Sequence, residues 1–219
     1  MTHLTNHKGK HHLIKGVLAF VCSMALMACS SDNTEPYPNL LTEFADIHTD
    51  AQGMFVDFTT DNGNTYQVLN TNIKPHQADP TYRAIVGFVS ERDDQPLSAH
   101  IYTLTGAMVL SDSTSCLLHH PTNIESMWKR GQYINMQLTA KGQSGIQHWG
   151  YAIDSVQTIG QKAHHHLSIH HNQACDPLAY SQTYYASIRP SSITNYLDGD
   201  TITVAVHTFD GIRKWQFCK

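Results

Sequence analysis

Two stretches of this sequence carry side chains able to do chemistry. The first is Leu26-Met27-Ala28-Cys29. A thiol with a small residue before it and an aliphatic residue three places before it has the pattern of a lipoprotein processing site. Cys29 would take a thioether-linked diacylglycerol, and an amide-linked acyl chain once the preceding residues are removed. Each buried methylene adds about 0.8 kcal/mol, so two or three chains anchor stably where one anchors only marginally. The second stretch is His164-His165-His166-Leu167-Ser168-Ile169-His170-His171. On a strand, alternation puts His164, His166 and His170 on one face, and His165 and His171 on the other with Leu167 and Ile169. His164 and His166, with a third ligand such as His148 or His207, make a candidate zinc or copper site. The blander reading is a half-exposed strand that holds no ion. It is preferred, because no cysteine or carboxylate stands at zinc-site spacing.

Other chemistry finds little support. Gly142-Gln143-Ser144-Gly145 lacks the spacing of a G-x-S-x-G elbow and reads as a hairpin loop. No glycine-rich phosphate loop follows a strand pattern. Nothing singles out a pair of carboxylates. Tyr184, Tyr185 and Tyr196 are able to stack on sugar rings, but in β proteins such residues more often serve the core or a cross-strand pair. The expectation is a protein without catalytic activity and without a cofactor.

The segment before Cys29 fits an export signal. Lys8, Lys10 and Lys15 precede an uncharged, mostly apolar run from Gly16 to Ala28. That run is shorter than the roughly 20 residues a membrane-spanning helix needs. Cys22 competes poorly as the lipid site because Phe20 and Val21 stand before it. Losing residues 1–28 removes three of the fourteen Lys and Arg and none of the eighteen acidic residues, so the charge moves from −4 to −7. An acidic mature chain argues against nucleic acid as a partner. The expected location is the outer membrane, lipid-anchored, on its periplasmic or outer face. Cys116, Cys175 and Cys218 remain in an oxidising compartment. Cys175 with Cys218 is the pair to test, against the alternative of three buried free thiols.

These groups need a scaffold, and the chain after the signal reads as almost all β. Residues 29–39, polar and containing Pro36 and Pro38, read as a tether. Residues 40–115 carry short strands: Met54–Phe58, Thr65–Leu69, the alternating Tyr82, Ala84, Val86 and Phe88, then Ala99–Leu104 and Ala107–Leu110. A three-residue loop with Gly63 left-handed sets Phe58 against Tyr66 and Val56 against Val68, keeping one face apolar. Five such strands fit a small OB-like barrel, which spacing alone does not separate from a small sandwich. Residues 116–129 lose the alternation and read as a linker, with a short helical turn near Ile124–Trp128. Residues 130–219 restart with Ile134, Met136, Leu138 and Ala140 on one face. They close on a hairpin with a type I′ turn at Asp210-Gly211, pairing Val206 with Trp215 and Val204 with Phe217. The fold class expected is all-β, a small OB-like barrel followed by an antiparallel β-sandwich.

The sequence resembles the NigD-like lipoproteins of Bacteroides-type bacteria. Gly131-Gln132-Tyr133-Ile134-Asn135 is similar to that family's Tyr-x-Asn strand. Leu167–Asn172 followed by Asp176 is similar to a strand ending in His-Asn before a Gly-Asp loop, with Ala174-Cys175-Asp176 where Gly-Asp is usual. Val204–Phe217 resembles its closing hairpin. The resemblance implies an OB-like domain, a C-terminal sandwich and an immunity-like or accessory role, and it supplies no catalytic residues. Three functional expectations follow, in order: binding of a protein or envelope component, metal binding on the histidine strand, and binding of a glycan.

Overall fold

The computed structural model describes residues 39–70, 73, 81–91, 96–112 and 118–218. The expected signal segment, Cys29, nearly all of the expected tether, and Cys116 lie outside the described residues. From Asn39 onward the chain forms one compact unit.

Five strands close a barrel: β1 (Leu41–Thr49), β2 (Phe55–Thr60), β3 (Thr65–Val68), β4 (Thr81–Ser90) and β5 (Ser98–Gly106). Their order is β1-β2-β3-β5-β4, with β1 pairing back to β4 and β3 lying parallel to β5. That order is the Greek-key barrel of an OB-fold. Phe58, Tyr66 and Phe88 fill its centre, with ring centroids 5.0–5.2 Å apart. The β2–β3 register is the one expected, Phe58 facing Tyr66 across a loop in which Gly63 has φ +84. Two details differ from expectation. Strand β1, whose Ala45 and Ile47 alternate with polar Asp46 and His48, was not foreseen. Val56 is exposed and Phe55 is buried, because a bulge opposite His48 and Thr49 leaves Val56 unpaired and turns Phe55 inward.

Two four-stranded sheets follow. One holds β6 (Met108–Leu110), β11 (Tyr180–Ile188), β8 (Tyr133–Gly142) and β7 (Asn123–Arg130), in that order. The other holds β13 (Gly211–Phe217), β12 (Thr201–Thr208), β10 (Lys162–Asn172) and β9 (His148–Ile159). Ile134, Met136, Leu138 and Ala140 are buried in alternation, and the first three meet Leu167, Ile169, Val204 and Val206 from the facing sheet. Most pairings are antiparallel, but β6–β11 and β10–β12 are parallel.

Met108–Leu110, expected in the barrel, instead joins β11 at the sandwich edge. The helical turn expected near Ile124 is strand β7; Ile124 is buried, and its neighbours pair with β8 across a bulge. The loop Gln143–Gln147 crosses from one sheet to the other and is not a hairpin. In the closing hairpin the register slips by two residues. Thr208 pairs with Gly211, Val204 with Trp215 and Ile202 with Phe217. Phe209 and Asp210 make the turn, and among these residues Gly211 alone has a positive φ, +110. A two-residue slip preserves which face each side chain points to, so Trp215 and Phe217 still pack on the core.

Candidate functional site

Three groups of polar side chains stand out. The first is a histidine-rich sheet face. His165, Leu167, Ile169 and His171 point from β10 into the sandwich, while His164, His166 and His170 point away from it, as period two requires. The rings of His164 and His166 stack 4.1 Å apart, and His164 Nε2 lies 2.8 Å from the Thr203 hydroxyl. His170 is buried because residues Leu118–Thr122 fill the gap where β10 and β12 diverge. His120 donates to the His171 carbonyl, and Thr122 to that of His207. His119 thereby lies stacked on His207 with ring centroids 4.3 Å apart, and makes a T-shaped contact with His170 at 4.7 Å between centroids. Burial, then the neighbouring His166 and His165, lower the pKa of His164. Burial and His119 lower that of His207, against the opposite pull of Asp154. Stacked rings present faces to one another, not nitrogen lone pairs to a common point. Among the described residues no three His, Cys, Asp or Glu side chains converge as a metal site. His148 is exposed at the start of β9, paired with Asn172 at the far end of β10 from His164 and His166.

His165 is fully buried, with Nε2 3.2 Å from the Asp200 carboxylate. His171 lies flat on Trp149 at 3.9 Å, with Nδ1 3.0 Å from the His120 carbonyl and Nε2 2.7 Å from Gln147 Oε1. Burial pushes its pKa down to about 4, outweighing the bond to His120. In the neutral ring only one of those two contacts is an N–H donation at a time.

The second group joins barrel and sandwich. Arg83 of β4 is buried, and its Nε donates to Ser187 at 2.7 Å. One terminal nitrogen reaches Asp46 at 3.0 Å, and the other reaches both Asp61 oxygens at 2.7 Å and Asn135 at 2.9 Å. The guanidinium sits 3.5 Å over the Tyr133 ring. Tyr133 and Asn135 point outward from β8, opposite to the core residues Ile134 and Met136. Gly131 has φ +54, and a Cβ there would stand 2.5 Å from the Asp61 carbonyl. The Gly-x-Tyr-x-Asn pattern read in the sequence is therefore a docking surface for the barrel. Every donor of Arg83 named here has an acceptor, which is what makes a buried charge tolerable.

The third group lies at the opposite end of β8. Asp176 is buried, and its carboxylate accepts from the backbone N–H groups of Gln143, Ser144 and Gly145 and from the Gln147 amide. Burial raises the carboxyl pKa, but these four donors together outweigh it and hold the group below its ordinary range. The hub ties the Gln143–Gln147 loop to residues 173–179. Asn172 caps the turn by accepting from Ala174 N–H. Ala174 and Cys175 take φ +51 and +67, a conformation that favours glycine, which explains why Gly precedes Asp in the pattern this segment resembles. Outside the hub stand Ile146, Leu178 and Tyr180, 79%, 66% and 52% exposed.

Several sequence expectations are placed by these contacts. Cys175 and Cys218 are both free and both exposed, so neither the disulfide nor the buried-thiol reading holds for them. Tyr184 packs beside Trp149, Tyr185 beside Phe44, and Tyr196 lines a cleft. Arg83 and the Asp176 hub were missed. A lone Arg in an alternating strand, at a position flanked by Tyr82 and Ala84, was the available signal for the first. No helix among the described residues is long and apolar enough to cross a membrane.

No protein-family profile matches the chain, and no curated protein matches it. Solved structures do. A NigD-like immunity protein from Bacteroides caccae is 18% identical, with a TM-score of 0.61 over 84% of this chain and 99% of its own. A toxin-related candidate from Parabacteroides distasonis is 16% identical, with a TM-score of 0.63 over 83% and 93%. A candidate lipoprotein from Bacteroides fragilis is 11% identical, with a TM-score of 0.58 over 82% and 97%. The resemblance to the NigD-like proteins thus holds at the level of the fold. None of these three is described as an enzyme.

Proposed function

We propose that this protein is a non-catalytic lipoprotein of the outer membrane, anchored through Cys29, that binds a protein partner of the cell envelope through the end of its sandwich. The role would be immunity-like or accessory. One observation carries the reading. The Asp176 hub fixes two loops and leaves Ile146 and Leu178 exposed on them, beside Tyr180 at the start of β11. Fixed loops with exposed apolar and aromatic side chains suit a protein interface, because little ordering entropy remains to be lost on binding. These loops lie at the end of β8 away from the barrel contacts. The fold shared with a NigD-like immunity protein and a candidate lipoprotein supports the same reading.

The test is capture from native membranes with the lipidated protein, alongside Cys29→Ala and the double variant Ile146→Asp/Leu178→Asp. The proposal expects one envelope or toxin protein enriched with the wild type, reduced without the lipid and lost with the double variant. Turnover of an envelope polymer or peptide by the purified protein would overturn it.

A further inference from the structure

We infer that the other end of the sandwich holds a binding site for a neutral sugar. A cleft of about 360 Å³ lies there, lined by Lys129, Gln132, Pro190, Ser191, Tyr196 and Asp198. Ligand clefts span roughly 300–1,000 Å³, so this one suits a ligand of one or two rings.

Its wall is held before any ligand arrives. The buried Asp200 carboxylate accepts from Ala163 and Leu197 N–H and pairs with His165. Lys162 donates to the Asp198 carbonyl from the side. Pro190 and Ile193 are buried, and Tyr196 N–H donates to the Ile193 carbonyl. Asn195 supplies the left-handed residue the loop needs, at φ +61. The partly buried Tyr196 ring packs on the sandwich core, with its centroid 5.8 Å from that of His165, and also lines the cleft.

The lining selects the ligand class. Lys129 and Asp198 carry opposite charges, so neither an anion nor a cation is favoured by the cleft as a whole. The side chains of Lys129, Gln132 and Ser191 make no hydrogen bond among the described residues, which leaves donors and acceptors of both kinds uncommitted. Tyr196 adds an aromatic ring to the lining, and the π-system of such a ring attracts the slightly positive C–H groups of a pyranose. An aromatic ring beside mixed donors and acceptors is the complement of a polyhydroxylated ring. This inference relies on the envelope reading only for where such a ligand would be met.

The experiment uses the full-length lipoprotein in a detergent without a sugar headgroup. Maltotriose, cellotriose and triacetylchitotriose are the probes, read by saturation-transfer NMR and titration. At least one probe is expected to bind at millimolar concentration, with affinity reduced roughly tenfold in Tyr196→Ala and also reduced in Gln132→Ala. Gln132 is an exposed turn residue, so its variant separates binding from folding. Absence of binding by all three probes, or unchanged affinity in Gln132→Ala, overturns the inference. Partner capture through Ile146 and Leu178 should be unaffected by either variant, so the two proposals fail separately.

Discussion

Replacing Arg83 by Met tests how barrel and sandwich are held together. The guanidinium side chain is 1% exposed and that of Asp61 is 6% exposed. Met fills much of the aliphatic volume but leaves the Asp61 carboxylate and the Asn135 and Ser187 polar atoms without their shared donor. An exposed ion pair would be worth at most about 1 kcal/mol. Breaking a buried pair by removing one partner costs roughly 3–5 kcal/mol, because the remaining charge is uncompensated. Against a typical total of about 5–15 kcal/mol, such a loss would be severe. Urea unfolding of wild type, Arg83→Met, Asp61→Asn and the double variant measures it. The cost of the double variant should fall short of the sum of the single ones by roughly 0.5–3 kcal/mol, since a neutral amide in place of the Asp61 carboxylate leaves no stranded charge there. A loss of about 1 kcal/mol or less in Arg83→Met, the range of an exposed pair, would refute the reasoning. So would strict additivity.

Cys175→Gly should stabilise the protein by roughly 1 kcal/mol, because φ +67 costs a residue with a Cβ but not glycine; a thermal melt reads it as a rise in Tm. Gly131→Ala should do the opposite, since its Cβ would meet the Asp61 carbonyl in a left-handed backbone; the same melt reads the fall. Acid should destabilise the fold before the carboxylates titrate. The folded pKa values of His164, His171 and His207 lie below 6.5, so the unfolded chain binds more protons there. Their contribution is complete above pH 6.5 and is lost as the pH falls from there toward 4, the value to which burial takes His171. Denaturation midpoints across that range check it, and His171→Gln should flatten the slope.

Much of the architecture was legible because alternation reports directly on burial. Ile134 to Ala140 and Val204 to Val206 face the core as their spacing required, and an even-numbered register slip in the last hairpin changed partners without changing faces. What escaped the sequence was long-range. Strand β1 mixes Glu43 and Asp46 with its apolar residues, and Asp46 is polar because it serves Arg83 across the chain. Strand β7 looked irregular because a bulge after Ile124 breaks its period. The histidine strand was placed on the correct faces, but His119, from a segment with no pattern of its own, covers His170 and stacks on His207. Residues resembling a family motif proved to hold the fold together: Tyr133 and Asn135 receive Arg83, and Asp176 gathers the loops. Their presence speaks for architecture, which is why function has to be sought on the surfaces they leave exposed.

The most direct test of the proposed function is capture from native membranes by wild type against Ile146→Asp/Leu178→Asp, both lipidated and equally abundant. The account predicts one envelope or toxin protein retained by the wild type and lost by the double variant. Equal retention by both proteins, or no retained protein with either, would contradict it.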